Sequence, residues 1–161
     1  MITLTLPYPI SANRYWATRI VKMAGKPRAM TYVTPEAKAF KDQVAWLAKA
    51  AGVHAPITGR VAISYTLHPH CPQDAHRRMK RDPHGWDDTV QCIDLDNAQK
   101  VLLDALKGVC MEDDKWVRRI TAERGMPVDG GKLVVTIEAI TTMPAPEHGD
   151  LLAHWGKVEL L

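Results

Sequence analysis

A chain of 161 residues with a formal net charge of +3 has room for one hydrophobic core and little surplus for a second, so a single domain is expected. No run approaches the roughly eighteen consecutive apolar residues of a membrane span, and "MITLTLPYPI" lacks the basic and then apolar regions of a secretion signal. A cytoplasmic protein with no membrane partner is the expectation. Cys71, Cys92 and Cys110 have no CxxC spacing, which argues against a disulfide framework and a four-thiolate zinc site.

"ITLTLP" alternates like a strand and is stopped by Pro7 and Pro9. From Ser11 to Pro35 no period is sustained, and Arg14, Arg19, Lys22, Lys26 and Arg28 gather beside Tyr15, Trp16 and Tyr32, which predicts a long basic loop. Tyr15 and Trp16 there suit either core packing or stacking on bases. "TPEAKAFKDQVAWLAKAAG" predicts a helix capped by Thr34, with Pro35 at its first position and Gly52 past its end. Its apolar stripe is Ala37, Phe40, Val44, Leu47, Ala48 and Ala51, with Trp46 expected to pack beside it. "GRVAISYTLHP" predicts a strand with Val61, Ile63, Tyr65 and Leu67 inward.

Residues 69–91 are polar and aperiodic, and so long an irregular stretch is usually functional or disordered. His68, His70, Cys71, His76 and His84 match no zinc spacing and are expected to be solvated. The basic run "HRRMKR", with Arg77, Arg78, Lys80 and Arg81, suits a solvated surface or contacts to phosphates; Asp87 and Asp88 read as surface charges. A second helix is predicted over about residues 97–108, burying Ala98, Val101, Leu102, Ala105 and Val109 and turning Lys100, Asp104 and Lys107 outward. "KWVRRITAERG" and "GKLVVTIEAIT" read as strands joined by a turn at "MPVDGG". Residues 142–161 read as a C-terminal extension of a domain spanning 1–141. The order β-α-β-α-β-β predicts an α+β domain, a mixed sheet with two main helices.

The stretch "CIDLDNAQK" begins the second helix. Asp96 is expected at its N-cap with Gln99 completing a capping box, a role that leaves Asp94 and the "EDD" of residues 112–114 unexplained. If the following strand returns near Asp94, these carboxylates converge and repel by about 4 kcal/mol per pair at 4 Å with an effective dielectric near 20. A cation would relieve that repulsion, and oxygen donors without His or Cys select Mg²⁺ or Mn²⁺. Lys100, four residues after Asp96, suits either charge stabilisation at a phosphate or an ordinary surface ion pair. Spacing leaves both readings open.

"DLDNAQKVLLDAL", residues 94–106, closely resembles the D-L-D-N-x-x-K-x-x-x-D-A-L motif of the RusA family of Holliday junction resolvases. "LPYPISANRYW" and "EDDKWV" are similar to that family's N-terminal and Asp-Asp-x-x-Val segments, so the resemblance spans residues 2 to about 141. It implies a RusA-like fold and a homodimeric, Mg²⁺-dependent endonuclease that places paired symmetric nicks in four-way branched DNA during recombination and repair. By the same resemblance, Asp94, Asp96 and Asp114 are the metal ligands, Lys100 is the essential lysine, and Asn13 and Arg14 line the DNA channel. This sequence departs from the pattern in the long 69–91 segment, in Trp116 where Gln is usual, and in its tail. A restriction-like nuclease using Asp96, Asp113 and Lys115 is one alternative, with strands expected between its acidic groups; a non-catalytic branched-DNA-binding protein is another.

Overall fold

The computed structural model describes residues 1–141, so the extension expected over 142–161 lies outside the described residues. In chain order the elements are β1 (Ile2–Pro7), α1 (Ala12–Tyr15), β2 (Trp16–Met23), β3 (Lys26–Val33), α2 (Pro35–Ala50), β4 (Val61–His68), α3 (Ala75–Arg81), α4 (Leu95–Leu106), β5 (Val117–Arg124) and β6 (Lys132–Ala139). The main sheet has the order β1-β6-β4-β5, with β4 and β5 parallel and the other pairs antiparallel. The architecture is the expected α+β class, and α2 and α4 are its two main helices.

Burial explains the strand order. The inner residues of β4 (Val61, Ile63, Tyr65, Leu67) and of β6 (Leu133, Val135, Ile137) are all buried, so these two strands sit at the sheet centre. β5 exposes Arg118, Arg119, Glu123 and Arg124 and takes an edge, where charge stays solvated. The glycines expected at a turn do adopt positive φ, 71° at Gly130 and 63° at Gly131. The connection nevertheless is no hairpin, because β4 lies between β5 and β6.

Both main helices pack on one face of the sheet. Thr34 caps α2 as expected, its Oγ1 accepting from the Ala37 amide at 3.3 Å, and Ala37, Phe40, Val44 and Ala48 are buried. Trp46 departs from expectation at 67% exposure, since two residues from Val44 turn it through about 200°, off the buried stripe. α4 buries Ala98, Val101, Leu102, Ala105 and Leu106, and each fully buried Val or Leu contributes about 1.5–3 kcal/mol. Leu106 takes the place expected for Val109, which lies beyond the end of the helix and is only partly buried.

Two segments read as loops are structured. Residues 16–33 form a hairpin, β2 with β3, closed by Ala24 and Gly25 at φ of 49° and 76°. Positive φ at both positions matches the turn geometry that suits twisted two-strand ribbons. Among the described residues the hairpin joins no other strand and has nearly every side chain at least partly open to solvent, so no buried face imposes a period on its sequence. Residues 69–91 contain α3 and a 3-10 turn over Trp86–Thr89, which share a small core of Ala75, Trp86 and Val90.

Candidate active site at the ends of one helix

α4 begins two residues earlier than the sequence suggests. Asp94, not Asp96, holds the N-cap position, with extended backbone (φ −64°, ψ 145°) and its carbonyl accepting from the Ala98 amide at 3.0 Å. The capping box with Gln99 is therefore absent. Asp94's carboxylate makes no capping bond and instead accepts from Asn97 Nδ2 at 3.5 Å. Asp96 lies in the first turn, and both carboxylates are exposed where the positive end of the helix dipole favours negative charge. Lys100 follows Asp96 by one turn and is exposed, yet among the described residues neither belongs to an ion pair.

Two phenols fix the chain on either side of Asp94. Tyr65 of β4 donates to the Leu95 carbonyl at 2.7 Å. Tyr8, after β1, accepts from the Ile93 amide at 2.9 Å and donates to Cys92 Sγ at 3.5 Å. Burial pushes both hydroxyls up to about 12, with the nearby Asp96 charge adding to the effect at Tyr65, so both stay protonated at neutral pH. Sequence reasoning assigned neither role. Tyr65's inward position on β4 and Tyr8's place between two prolines were the available signals. A cavity of about 460 Å³ lies against the same stretch, lined by Tyr8, His70, Arg78, Gln91, Cys92 and Ile93 among others.

The opposite end of α4 is electrostatically closed. Asp104, expected to face solvent, accepts from the buried Tyr15 hydroxyl and from Lys41 Nζ at 3.0 Å. Burial raises its carboxyl pKa, the Lys107 cation lowers it, and the Asp114 charge raises it again. Lys107, just past the last turn, reaches Asp113 at 3.0 Å and Asp114 at 3.2 Å. Asp113 is held down to about 2, first by the Lys115 amide it accepts from at 3.0 Å and then by Lys107. The same two carboxylates raise the pKa of Lys107. Glu112 accepts from the Gly59 amide at 3.3 Å, a loop contact.

The expected convergence of Asp94, Asp96 and Asp114 is thus absent within one chain. The twelve residues of α4 span roughly 18 Å, and Asp114 is tied to Lys107 beyond the far end. Among the described residues no three His, Cys, Asp or Glu side chains form a group able to hold an ion. Of the histidines, His68 bonds the Met126 carbonyl at 2.9 Å and His70 packs on Tyr8. The restriction-like arrangement also fails, because a helix, not strands, separates Asp96 from Asp113.

Of the residues proposed to meet DNA, Asn13 is exposed on α1, while Arg14 is exposed but ion-paired with Glu36 at 2.8 Å. Arg77, Lys80 and Arg81 are exposed on α3. Arg78 is committed internally: Nε donates to Asp74 at 2.8 Å, and one terminal nitrogen donates to the Thr89 carbonyl and hydroxyl at 2.9 and 3.0 Å. It ties α3 to the 3-10 turn. Asp88 is exposed as expected, whereas Asp87 is partly buried and its carbonyl accepts from Arg124 at 2.8 Å. No helix among the described residues is long and apolar enough to cross a membrane.

Fold and site together define an α+β protein in which one amphipathic helix carries exposed Asp94, Asp96 and Lys100 near its start and the ion-paired Lys107, Asp113 and Asp114 just beyond its end. The profile of the family described as endodeoxyribonuclease RusA matches residues 7–138, and the chain belongs to that family. Among similar proteins, the crossover junction endodeoxyribonuclease RusA of Escherichia coli O139:H28 (strain E24377A / ETEC) is 32% identical over 142 residues, covering 84% of this chain and 92% of its own. The protein of the same name from Escherichia coli strain K12 is 32% identical over 138 residues, with the same coverages. That of Enterobacteria phage 82 is 31% identical over 137 residues, 83% of this chain and 91% of its own.

Proposed function

We propose that this chain is a divalent-metal-dependent endonuclease that resolves four-way junctions or related branched DNA in recombination and repair, acting as a homodimer. One observation carries the reading: Asp94, Asp96 and Lys100 stand exposed at one end of a rigid helix with no ion pair among the described residues, in a member of an endodeoxyribonuclease family. Charges held on a fixed element without an internal counter-charge suit an external cation and an external phosphate.

The donor set is carboxylate oxygen without His or Cys, which fits Mg²⁺ or Mn²⁺ and not zinc. When bound, such an ion supplies Lewis-acid polarisation of the scissile phosphate and a more acidic water. Asp94 and Asp96 hold it, and the Tyr65 and Tyr8 bonds keep their backbone in place. Lys100 offsets the negative charge that grows on the phosphate as the attacking oxygen bonds phosphorus and the bridging P–O bond breaks.

Asp114 fits the same donor set only if a second protomer supplies it. A two-fold axis crossing the middle of α4 would set the Asp94 end of one helix against the Asp114 end of the other. The two sites created this way match the two symmetric cuts that junction resolution requires.

The test is nicking of a synthetic four-way junction with Mg²⁺. Asp96→Asn and Asp114→Asn are each expected to lose activity by 100-fold or more, on the order of removing one key electrostatic contact. Refolding the two variants together should restore nicking of one strand but not paired cutting, because the mixed dimer holds one intact site. Wild-type cutting in EDTA sinks the metal-dependent reading, and a silent mixture sinks the shared site.

A further inference from the structure

Among the described residues the β2–β3 hairpin is an arm that meets the rest of the fold chiefly at its base, beside α1. It is anchored at its base by buried Tyr15, whose carbonyl accepts from the Thr34 amide at 2.9 Å, and pairs with no strand of the main sheet. Isolated two-strand ribbons are marginal in water, so one that leaves apolar side chains open invites an occupant. Ile20 is 77% exposed, Met23 53%, Met30 41% and Tyr32 39%.

Register sorts these side chains. Ala17 faces Tyr32, Arg19 faces Met30, Val21 faces Arg28 and Met23 faces Lys26, so one face carries Arg19, Lys26 and Arg28 interleaved with Met23, Met30 and Tyr32. The Arg19 guanidinium already lies 5.4 Å from the Tyr32 ring centre. No Asp or Glu occurs before Glu36, and the five cations of residues 14–28 exceed the chain's net charge of +3.

We infer that this face is a DNA-binding arm, in which Arg19, Lys26 and Arg28 grip backbone phosphates beside a branch point while Met23, Met30 and Tyr32 cover its unstacked bases. The inference rests on the nuclease reading for its choice of branched DNA. Charge selects the occupant: a second copy docked on this face would oppose like cations with no carboxylate between them, whereas DNA is complementary. Size agrees, since the major groove admits a two-stranded ribbon, and thioether and aromatic side chains suit exposed bases.

The test is junction binding by the full chain without divalent metal, titrated with salt. Arg19→Gln/Lys26→Gln/Arg28→Gln should make the slope of log K against log salt shallower by about 2 to 3, while Arg19→Lys/Arg28→Lys keeps the wild-type slope. Met30→Ala/Tyr32→Ala should keep the slope and lose about tenfold in preference for junction over duplex. An unchanged slope in the triple Gln variant overturns the proposal. So does loss of the dimer in sedimentation with the slope intact, which would make the face a protein interface. Wild-type nicking is read in parallel: a wild type that binds with the steep slope but never nicks with Mg²⁺ defeats the nuclease reading and leaves the arm standing.

Discussion

At its N-terminal end α4 presents Asp94, Asp96 and Lys100 to solvent with no ion pair among the described residues, whereas at its C-terminal end Asp104, Lys107, Asp113 and Asp114 are satisfied by one another, by Lys41 and by the Tyr15 hydroxyl. The residue types are alike; the settings are opposite. Charges that neutralise one another hold the chain together locally, and charges left to solvent on a rigid element are the ones able to take up an ion or a phosphate. Asp114 belongs to both groups, because Lys107 is its partner here and a metal is its proposed partner in the dimer.

The largest expected effect separates the two lysines. Lys100→Ala should lower single-turnover cleavage by about 100-fold or more, with junction affinity and melting temperature nearly unchanged, because an exposed side chain that stabilises a transition state contributes little to folding. Lys107→Ala should retain the rate at saturating Mg²⁺ and reduce the Mg²⁺ needed for half-maximal cleavage, since Asp114 loses a competing cation. Equal rate losses for both would erase the distinction between the ends.

A second, intermediate effect lies in stability. Asp104→Ala leaves the fully buried Tyr15 hydroxyl without its acceptor, which should cost about 1–3 kcal/mol in denaturant unfolding. Asp104→Asn keeps an acceptor and should cost less. Asp96→Ala at the other end should stay within about 0.5 kcal/mol of wild type, as an exposed residue with no ion pair among the described residues does. If Asp96→Ala destabilises as much as Asp104→Ala, the N-terminal end is structural after all.

Burial decided how much of this was legible in the sequence. Val61, Ile63, Tyr65 and Leu67, the α2 stripe and the inner face of α4 all announce themselves, because one buried face imposes a period. The hairpin of residues 16–33 has no such face, and its strands are marked only by Ala24-Gly25, a weak turn signal. Strand order was hidden for another reason: placing β4 between β5 and β6 follows from competition for the sheet centre, which local pattern does not encode. The site was half legible. The spacing of Asp94, Asp96 and Lys100 suits a charged helix start as well as a site, the position of Asp114 depends on how the chain turns after α4, and the Tyr8 and Tyr65 bonds depend on contacts across the fold.

The smallest effect tests how the closed end is held. Asp113 falls to about 2 from an ordinary 3.8, so its contribution to stability is present above 3.8 and is lost as pH falls through about 2. Lys107 is raised above 10.5, so its contribution is present below 10.5 and is lost as pH rises through the higher folded value. Between those limits the pair should add a constant, salt-sensitive increment, small because both groups are solvent-accessible. The Lys115 amide is the largest influence on Asp113, ahead of Lys107. In Lys107→Met the Asp113 carboxyl, followed by NMR through an acid titration, should therefore move upward yet stop short of 3.8. A full return to 3.8 would assign the effect to the lysine alone, and no movement would mean that the ion pair does not form in solution.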